Sequence, residues 1–541
     1  MHRGTIHLLI KYENAIGGHG MKNLPTITKE NGVWQLIVDG EPFIALGGEI
    51  HNSSASDAAY MEKMVWPAVE ELKANFLLVP VSWEQIEKTE GSFDFSGVDE
   101  LLVNARRRNL KLGLLWMGMW KGPDSLFIPL WLKRRLGKED FQRAADGKLI
   151  RQLSPFCDKV YEADLNAYRH LMEHLRDFDA QEQTVLLMQV ENEPGTWFHD
   201  RDHSQKAEAA YVAEVPAEIA VGYGVTGSWE QAFGESAADM FMNWIISGKI
   251  NRLAKCGKEI YALPTFTNCV PGMGFLKVAG GPSAEHADFW KKFAPDLDVL
   301  TPNVYAPNYE EIISSYQRED NPLMIPETGI AIDCASRALY TVGRGGLMFS
   351  PFGIEDCFPQ DPEEYKVRLM GVMGEEISLT AGRKLRDTYC ILKELYPEIL
   401  QGLKEKRLYT LLQRPEERFN RPKAGFGGMV SFEGGDSRTI DVQNYRITFR
   451  FGYSRDPEDN PLGAAILIER GEGHFLFVGI NLCMEVQAME EGTEVFVDDF
   501  REYVYRNGHL TAGRILNGDE RNALAAGAEL TVFTLELAAH R

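Results

Sequence analysis

The chain has 541 residues, 44% hydrophobic and 25% charged, enough for two or three domains and a large core. A formal net charge of −22 argues against nucleic acid or an anionic membrane surface as partner and suits a neutral substrate. The seven cysteines (157, 256, 269, 334, 357, 390 and 483) are scattered and contain no C-x-x-C pair. They read as reduced thiols of a cytosolic protein, with neither a disulfide framework nor a zinc site.

Residues 1–24 read as a loose tail. Ile6 to Ile10 is too short for the apolar core of a signal peptide, and Lys11 and Glu13 interrupt it. Met21 begins a more typical sequence. No run approaches 18 apolar residues, so no membrane span is expected. Trp34 to Phe43 reads as a hairpin turning at Asp39-Gly40.

Phe43 to Ile50 is the first buried strand, closing on Glu49, His51 and Asn52. The helical stretch Met61 to Ala74 leads to a second strand, Asn75 to Trp83. An Arg-rich helix, Leu101 to Asn109, leads to a third, Leu110 to Trp116, followed by Trp120 and Lys121. Amphipathic Tyr161 to Phe178 precedes strand four, where Val185-Leu-Leu-Met188 turns abruptly into Gln189, Glu191, Asn192 and Glu193 and stops at Pro194-Gly195. Two carboxylates and a carboxamide at the end of a buried strand are costly unless a site uses them.

After an insertion from Thr196 and a helix over Trp229 to Ala254, strands five to eight follow. They are Glu259 to Asn268, Leu297 to Tyr305, Pro322 to Gly329, and Gly345 to Gly353, and they end in Asn268, Tyr305, Glu327 and Phe352. Eight short apolar strands alternating with helices predict a (β/α)8 TIM barrel over residues 25–403, with functional groups at the C-terminal strand ends. Beyond it, strand-like runs between Gly, Asp and Asn turns predict a C-terminal all-β sandwich over 404–541.

Strands four and seven carry the chemistry, with Glu193 and Glu327 expected to face each other across the barrel mouth. Paired acids flanking a cleft suit glycosidic bond hydrolysis. One protonates the leaving oxygen, and the other attacks the anomeric carbon or activates water. Tyr305, beside Glu327, could donate a hydrogen bond that keeps it charged. Trp83, Trp116, Trp120 and Phe352 are candidates to wall a sugar site by stacking. Lys121 would bond a hydroxyl or pair with an acid; Glu49 and His51 are expected to face the mouth, with Asn268 beside them. The run His199 to His203 reads as a solvated loop rather than a metal site. No cofactor and no metal is called for.

At this point the residues resemble a known family. Gln189-Val-Glu-Asn-Glu193-Pro-Gly is similar to the acid/base strand of the retaining clan of barrel glycosidases, and Ile325-Pro-Glu327 to its nucleophile strand. Gly47-Gly-Glu-Ile-His51-Asn-Ser-Ser-Ala-Ser, Leu115-Trp-Met-Gly-Met-Trp120-Lys121, Gly227-Ser-Trp-Glu-Gln-Ala-Phe-Gly-Glu and Leu516-Asn-Gly-Asp-Glu resemble a bacterial subgroup of family 35 β-galactosidases with a characteristic C-terminal β domain. Strand three lacks the Glu, and strand two the Trp-Asn-x-His-Glu pattern, of better-known members.

The resemblance implies Glu193 as acid/base, Glu327 as nucleophile and Asn192 on the sugar's 2-hydroxyl. It implies a retaining exo-acting β-glycosidase, most of all a β-galactosidase, whose partner is a β-linked oligosaccharide or glycoside. A related β-glucosidase, a transglycosylase and a non-catalytic sugar-binding barrel remain the alternatives. A cytoplasmic location and a homo-oligomer are compatible with this reading.

Overall fold

The computed structural model describes residues 23–123, 126–271, 278–361, 379–415, 437–454, 459–518, 520 and 524–540. Residues 1–22, most of the expected tail, lie outside that set. Parallel strands alternating with helices close into a (β/α)8 barrel. Strands one to six are Ala45–Glu49, Phe76–Ser82, Lys111–Lys121, Val185–Asn192, Thr265–Cys269 and Val299–Val304. Strand seven is split into Met324–Ile325 and Glu327–Thr328, and strand eight is Met348–Phe349, shorter than expected. Each pairs with the next, and strand eight returns to strand one. The break in strand seven falls at Pro326, which has no N–H to give a ladder. Its first half pairs with strand eight and its second with strand six.

Side chains alternate between two layers, as the two-residue period of a strand dictates. Ala45, Leu78, Leu115, Leu187, Val299 and Met324 point inward and form one cluster. Leu46, Leu77, Leu114, Met188, Leu300 and Ile325 point outward and pack with the helices. The end of the barrel opposite the strand termini is plugged by a three-stranded antiparallel sheet of Thr26–Glu30, Val33–Val38 and Glu41–Phe43. Leu36, Val38, Trp34 and Phe43 of that sheet join the inner cluster. Its turns, Asn31-Gly32 and Asp39-Gly40, have positive φ at both residues (50° and 82°, 52° and 86°), which suits the right-handed twist of a hairpin. The second turn was expected from the sequence. The first carries the same Asn-Gly signal and adds an unforeseen strand.

The C-terminal region is a sandwich of one six-stranded and one four-stranded antiparallel sheet. Ile447 and Phe449 of the smaller sheet meet Leu467, Phe477 and Phe533 of the larger. The other face of the larger sheet, with Ile466, Ile468 and Val478, packs with barrel helices including Cys334–Gly343 and Leu379–Lys404. Burial on both faces explains the unbroken apolar run Ala464 to Ile468, where a half-exposed strand would alternate. All seven cysteines are free. Among the described residues, no helix is long and apolar enough to cross a membrane.

Candidate active site

The end of strand four is shaped by two residues in the left-handed region, Glu191 (φ 60°) and Glu193 (φ 49°). That conformation is unfavourable for side chains larger than glycine and persists only where the surroundings enforce it. Here it breaks the alternation: Asn192 and Glu193 both reach the mouth, while Glu191 turns out beneath strand three. The Glu191 carboxylate accepts backbone N–H groups of Gly118 (3.2 Å), Met119 (2.9 Å) and Trp120 (2.8 Å). Asp164 lies beside it and accepts from Trp116 Nε1 (2.8 Å) and Met119 N (3.2 Å). Burial first, then the charge of Asp164, push the Glu191 carboxyl well above the usual carboxylate range.

This acid pair holds a bulge in strand three, where the register jumps between Trp116 and Lys121. A side chain at Gly118 would meet Asp164 Oδ1 at 2.4 Å and Glu191 Oε1 at 2.6 Å, so only glycine fits there. The bulge delivers Lys121 to the site.

Glu193 and Glu327 are 7% and 3% exposed. Asn303 Nδ2 donates to Oε1 of both, at 2.8 Å each. Asn268 Nδ2 donates to Glu327 Oε1 (3.1 Å), while its oxygen accepts the backbone N–H of Glu193 (2.7 Å). Tyr305 donates its hydroxyl hydrogen to Glu327 Oε2 at 2.8 Å. The Asn192 side chain lies 3.1 Å from Glu327 Oε1 and 2.7 Å from Lys121 Nζ; nitrogen toward the carboxylate and oxygen toward the ammonium satisfies both. Lys121 Nζ is also 4.0 Å from Glu193 Oε2. The two acids, expected from the sequence at the mouth on strands four and seven, come close together there. They share one arc of it, bridged by the asparagines of strands five and six.

Burial, and next the Glu193 charge, push the Glu327 carboxyl up to about 7, against the opposing pull of Lys121, Tyr305 and Asn303. Burial works against the charge on Lys121, but Glu193, Glu327 and Glu49 outweigh it and hold the ammonium. Burial, followed by the Glu327 charge, raises the Tyr305 hydroxyl well above its usual value, which keeps it a donor.

Of the other expected site residues, some join this cluster and some do not. Glu49 ends strand one facing inward and is fully buried. Phe352 bridges Glu49 and bonds Thr328 O through its backbone N–H (3.0 Å), linking strand one to strand seven. The His51 ring meets Phe352 edge-on at 5.1 Å and bonds Asp356 Oδ2 at 2.8 Å.

Trp83, Trp116 and Trp120 do not wall the mouth; all three pack in the outer layer with the helices. Trp83 donates to Glu87 Oε2 (2.6 Å), and Trp116 packs on Tyr168 while bonding Asp164. The reason is parity: Leu78, Leu115 and Met117 point inward. Trp83, an odd number of residues from the first, and Trp116, between the other two, must therefore point outward. In the run 199–203, His203 bonds Glu208 (2.7 Å) within the insertion, and Asp202 accepts from the Ser154 hydroxyl (2.6 Å), which lies before strand four.

Sequence reasoning missed Asn303, although it lies two residues before Tyr305 and so shares its face. It also missed Trp197, whose indole N–H bonds Glu193 O at 3.3 Å.

The closed barrel gathers two buried acids and their asparagines at its C-terminal strand ends. Residues 35–262 match the model of the glycosyl hydrolases family 35, and residues 385–526 match a domain of unknown function, DUF5597. The family 35 match thus lies within the barrel, and the second match lies in the C-terminal region. No curated protein matches the chain. Similar solved structures include the β-galactosidase of Bacillus circulans sp. alkalophilus, at 15% identity and TM-score 0.48, covering 67% of this chain and 57% of that one. Another is the β-galactosidase of the psychrophilic Marinomonas ef1, at 14% identity and TM-score 0.44, covering 66% and 62%. The chain thus spans only about three fifths of the length of these relatives.

Proposed function

We propose that the protein is a retaining, exo-acting β-glycosidase, first of all a β-galactosidase, working by double displacement. One observation carries the mechanism. Both carboxylates accept from the single nitrogen of Asn303, so their nearest oxygens cannot lie farther apart than twice 2.8 Å. Retaining glycosidases hold their two carboxyl groups roughly 5–5.5 Å apart, because one attacks the sugar directly; inverting ones need roughly 6.5–9.5 Å to admit a water.

The hydrogen bonds divide the labour. Glu327 accepts from Asn268, Asn303 and Tyr305, three donors that favour its charged form, and so takes the role of nucleophile. Glu193 protonates the leaving oxygen. It then deprotonates the water that attacks the anomeric carbon and releases Glu327. The Lys121 ammonium lowers the cost of negative charge beside the reacting centre. By the family resemblance Asn192 takes the 2-hydroxyl, and the preference for galactose and for chain ends rests on that resemblance too.

A panel of aryl β-glycosides, assayed with the parent and with Glu327→Ala, tests this reading. Turnover by the parent, best on the galactoside, and loss in the variant are expected. A parent inert toward the whole panel would leave only a sugar-binding barrel.

A further inference from the structure

Two glutamates of this barrel are fully buried at the ends of inner strands, and they are treated in opposite ways. Glu191 is surrounded by backbone N–H donors. Glu49 has none: among the described residues neither of its carboxyl oxygens has a hydrogen-bond partner. Its backbone is fully engaged, its N–H donating to Pro351 O (2.8 Å) and its carbonyl accepting from Gly353 N (2.8 Å). The side chain alone is left over. A buried carboxyl with nothing to bond is a large cost, and native structures seldom keep one without a use.

The direction of Glu49 is fixed by strand parity. Ala45 joins the inner cluster, Leu46 and Ile50 the outer one, so Glu49 faces the barrel axis. It therefore points toward the site from the strand-one side, with both oxygens buried. Phe352 links it there to the Glu327 strand, and the charges of Glu327, Lys121 and Glu193 all act on it.

Resting on the glycosidase reading above, we infer that Glu49 is a glycone-selecting residue whose two unpartnered oxygens grip the neighbouring hydroxyls at C3 and C4 of the sugar seated over Glu327. The two oxygens of a carboxyl group suit two adjacent ring hydroxyls. Asn192 already takes the 2-hydroxyl in that reading, and the one vicinal pair left on a hexose ring is C3 with C4. Burial, and then the Glu327 charge, push the Glu49 carboxyl well above the usual range, toward its neutral form. A neutral acid offers one donor and one acceptor, which one hydroxyl of the pair can accept from while the other donates. Galactose and glucose differ at C4, so the choice between them falls to this side chain. Glu49 makes no covalent step.

The test compares parent, Glu49→Ala and Glu49→Gln on aryl β-galactoside, its 3-deoxy and 4-deoxy analogues, and aryl β-glucoside. Glu49→Ala should lose about a hundredfold in kcat/KM on the better hexoside, felt chiefly in KM, and only a few-fold on the 4-deoxy sugar. The preference between galactoside and glucoside should collapse. Glu49→Gln, which keeps a donor and an acceptor, should recover most of the loss. Because the carboxyl bonds nothing in the folded protein, neither variant should melt below the parent. An equal fold-loss on every sugar, or a fall of several degrees in Tm for both variants, would show a structural role and overturn the inference. A parent that turns over no aryl β-glycoside would sink the glycosidase reading itself, a failure distinguishable from the other two.

Discussion

Two rings of inward-facing side chains sit a few residues apart along the barrel strands, and they obey opposite rules. The lower ring, with Ala45, Leu78, Leu115, Leu187, Val299 and Met324, is apolar and closed on itself. The upper ring, with Glu49, Asn192, Glu193, Asn268, Asn303 and Glu327, is nearly as buried and entirely polar. The lower ring gains free energy by leaving water. The upper ring loses it, and Glu49 and the oxygen of Asn303 still lack partners. A few residues of strand therefore separate the layer that holds the barrel together from the layer that it holds in place, and substitutions should separate in the same way.

The largest effect should come from Glu327→Ala. Turnover should fall by roughly four orders of magnitude or more for every leaving group, since no glycosyl-enzyme can form. The melting temperature should not fall, since a crowded, partly protonated carboxyl is removed; steady-state kinetics beside thermal melts would show both. Glu193→Ala should cost roughly 10²–10⁴-fold on substrates whose leaving group needs a proton, and much less on activated aryl glycosides. External azide should partly restore the latter by replacing the water that Glu193 activates.

The lower ring should behave in reverse. Leu187→Ala should lower stability by about 2–5 kcal/mol in chemical denaturation while leaving kcat/KM per folded molecule near the parent value. A variant that stayed stable yet lost activity would erase the distinction between the rings.

A smaller effect concerns pH. As the proposed nucleophile Glu327 must be charged, and its carboxyl is pushed up to about 7, so kcat/KM should rise with pH through that value. Lys121 stabilises the charged form, so Lys121→Met should move this acidic limb to higher pH. A limb that stayed in place, or sat near 4.5, would show that Lys121 does not act on the nucleophile.

The polar strand ends were legible in the sequence because composition changes there within two or three residues, from Val185-Leu-Leu-Met188 to Gln189 and beyond. Their directions were legible too, through parity. Counting alternate residues from Leu78 and from Leu115 turns Trp83 and Trp116 outward, and counting back from Tyr305 brings in Asn303. What no local pattern reveals is the left-handed turn at Glu191 and Glu193. It exists because the N–H groups of a bulge in strand three and the neighbouring Asp164 receive a glutamate some 70 residues away in the chain. The break at Pro326 was visible as a proline, but not as the point where strand seven changes partners.

The most direct measurement is the anomeric configuration of the first sugar released, followed by proton NMR before mutarotation blurs it. Direct attack by Glu327, with Glu193 held beside it through one asparagine nitrogen, requires two inversions and therefore a β-configured product. An α-configured first product would mean a single inversion by water, and would contradict the assignment of Glu327 as nucleophile.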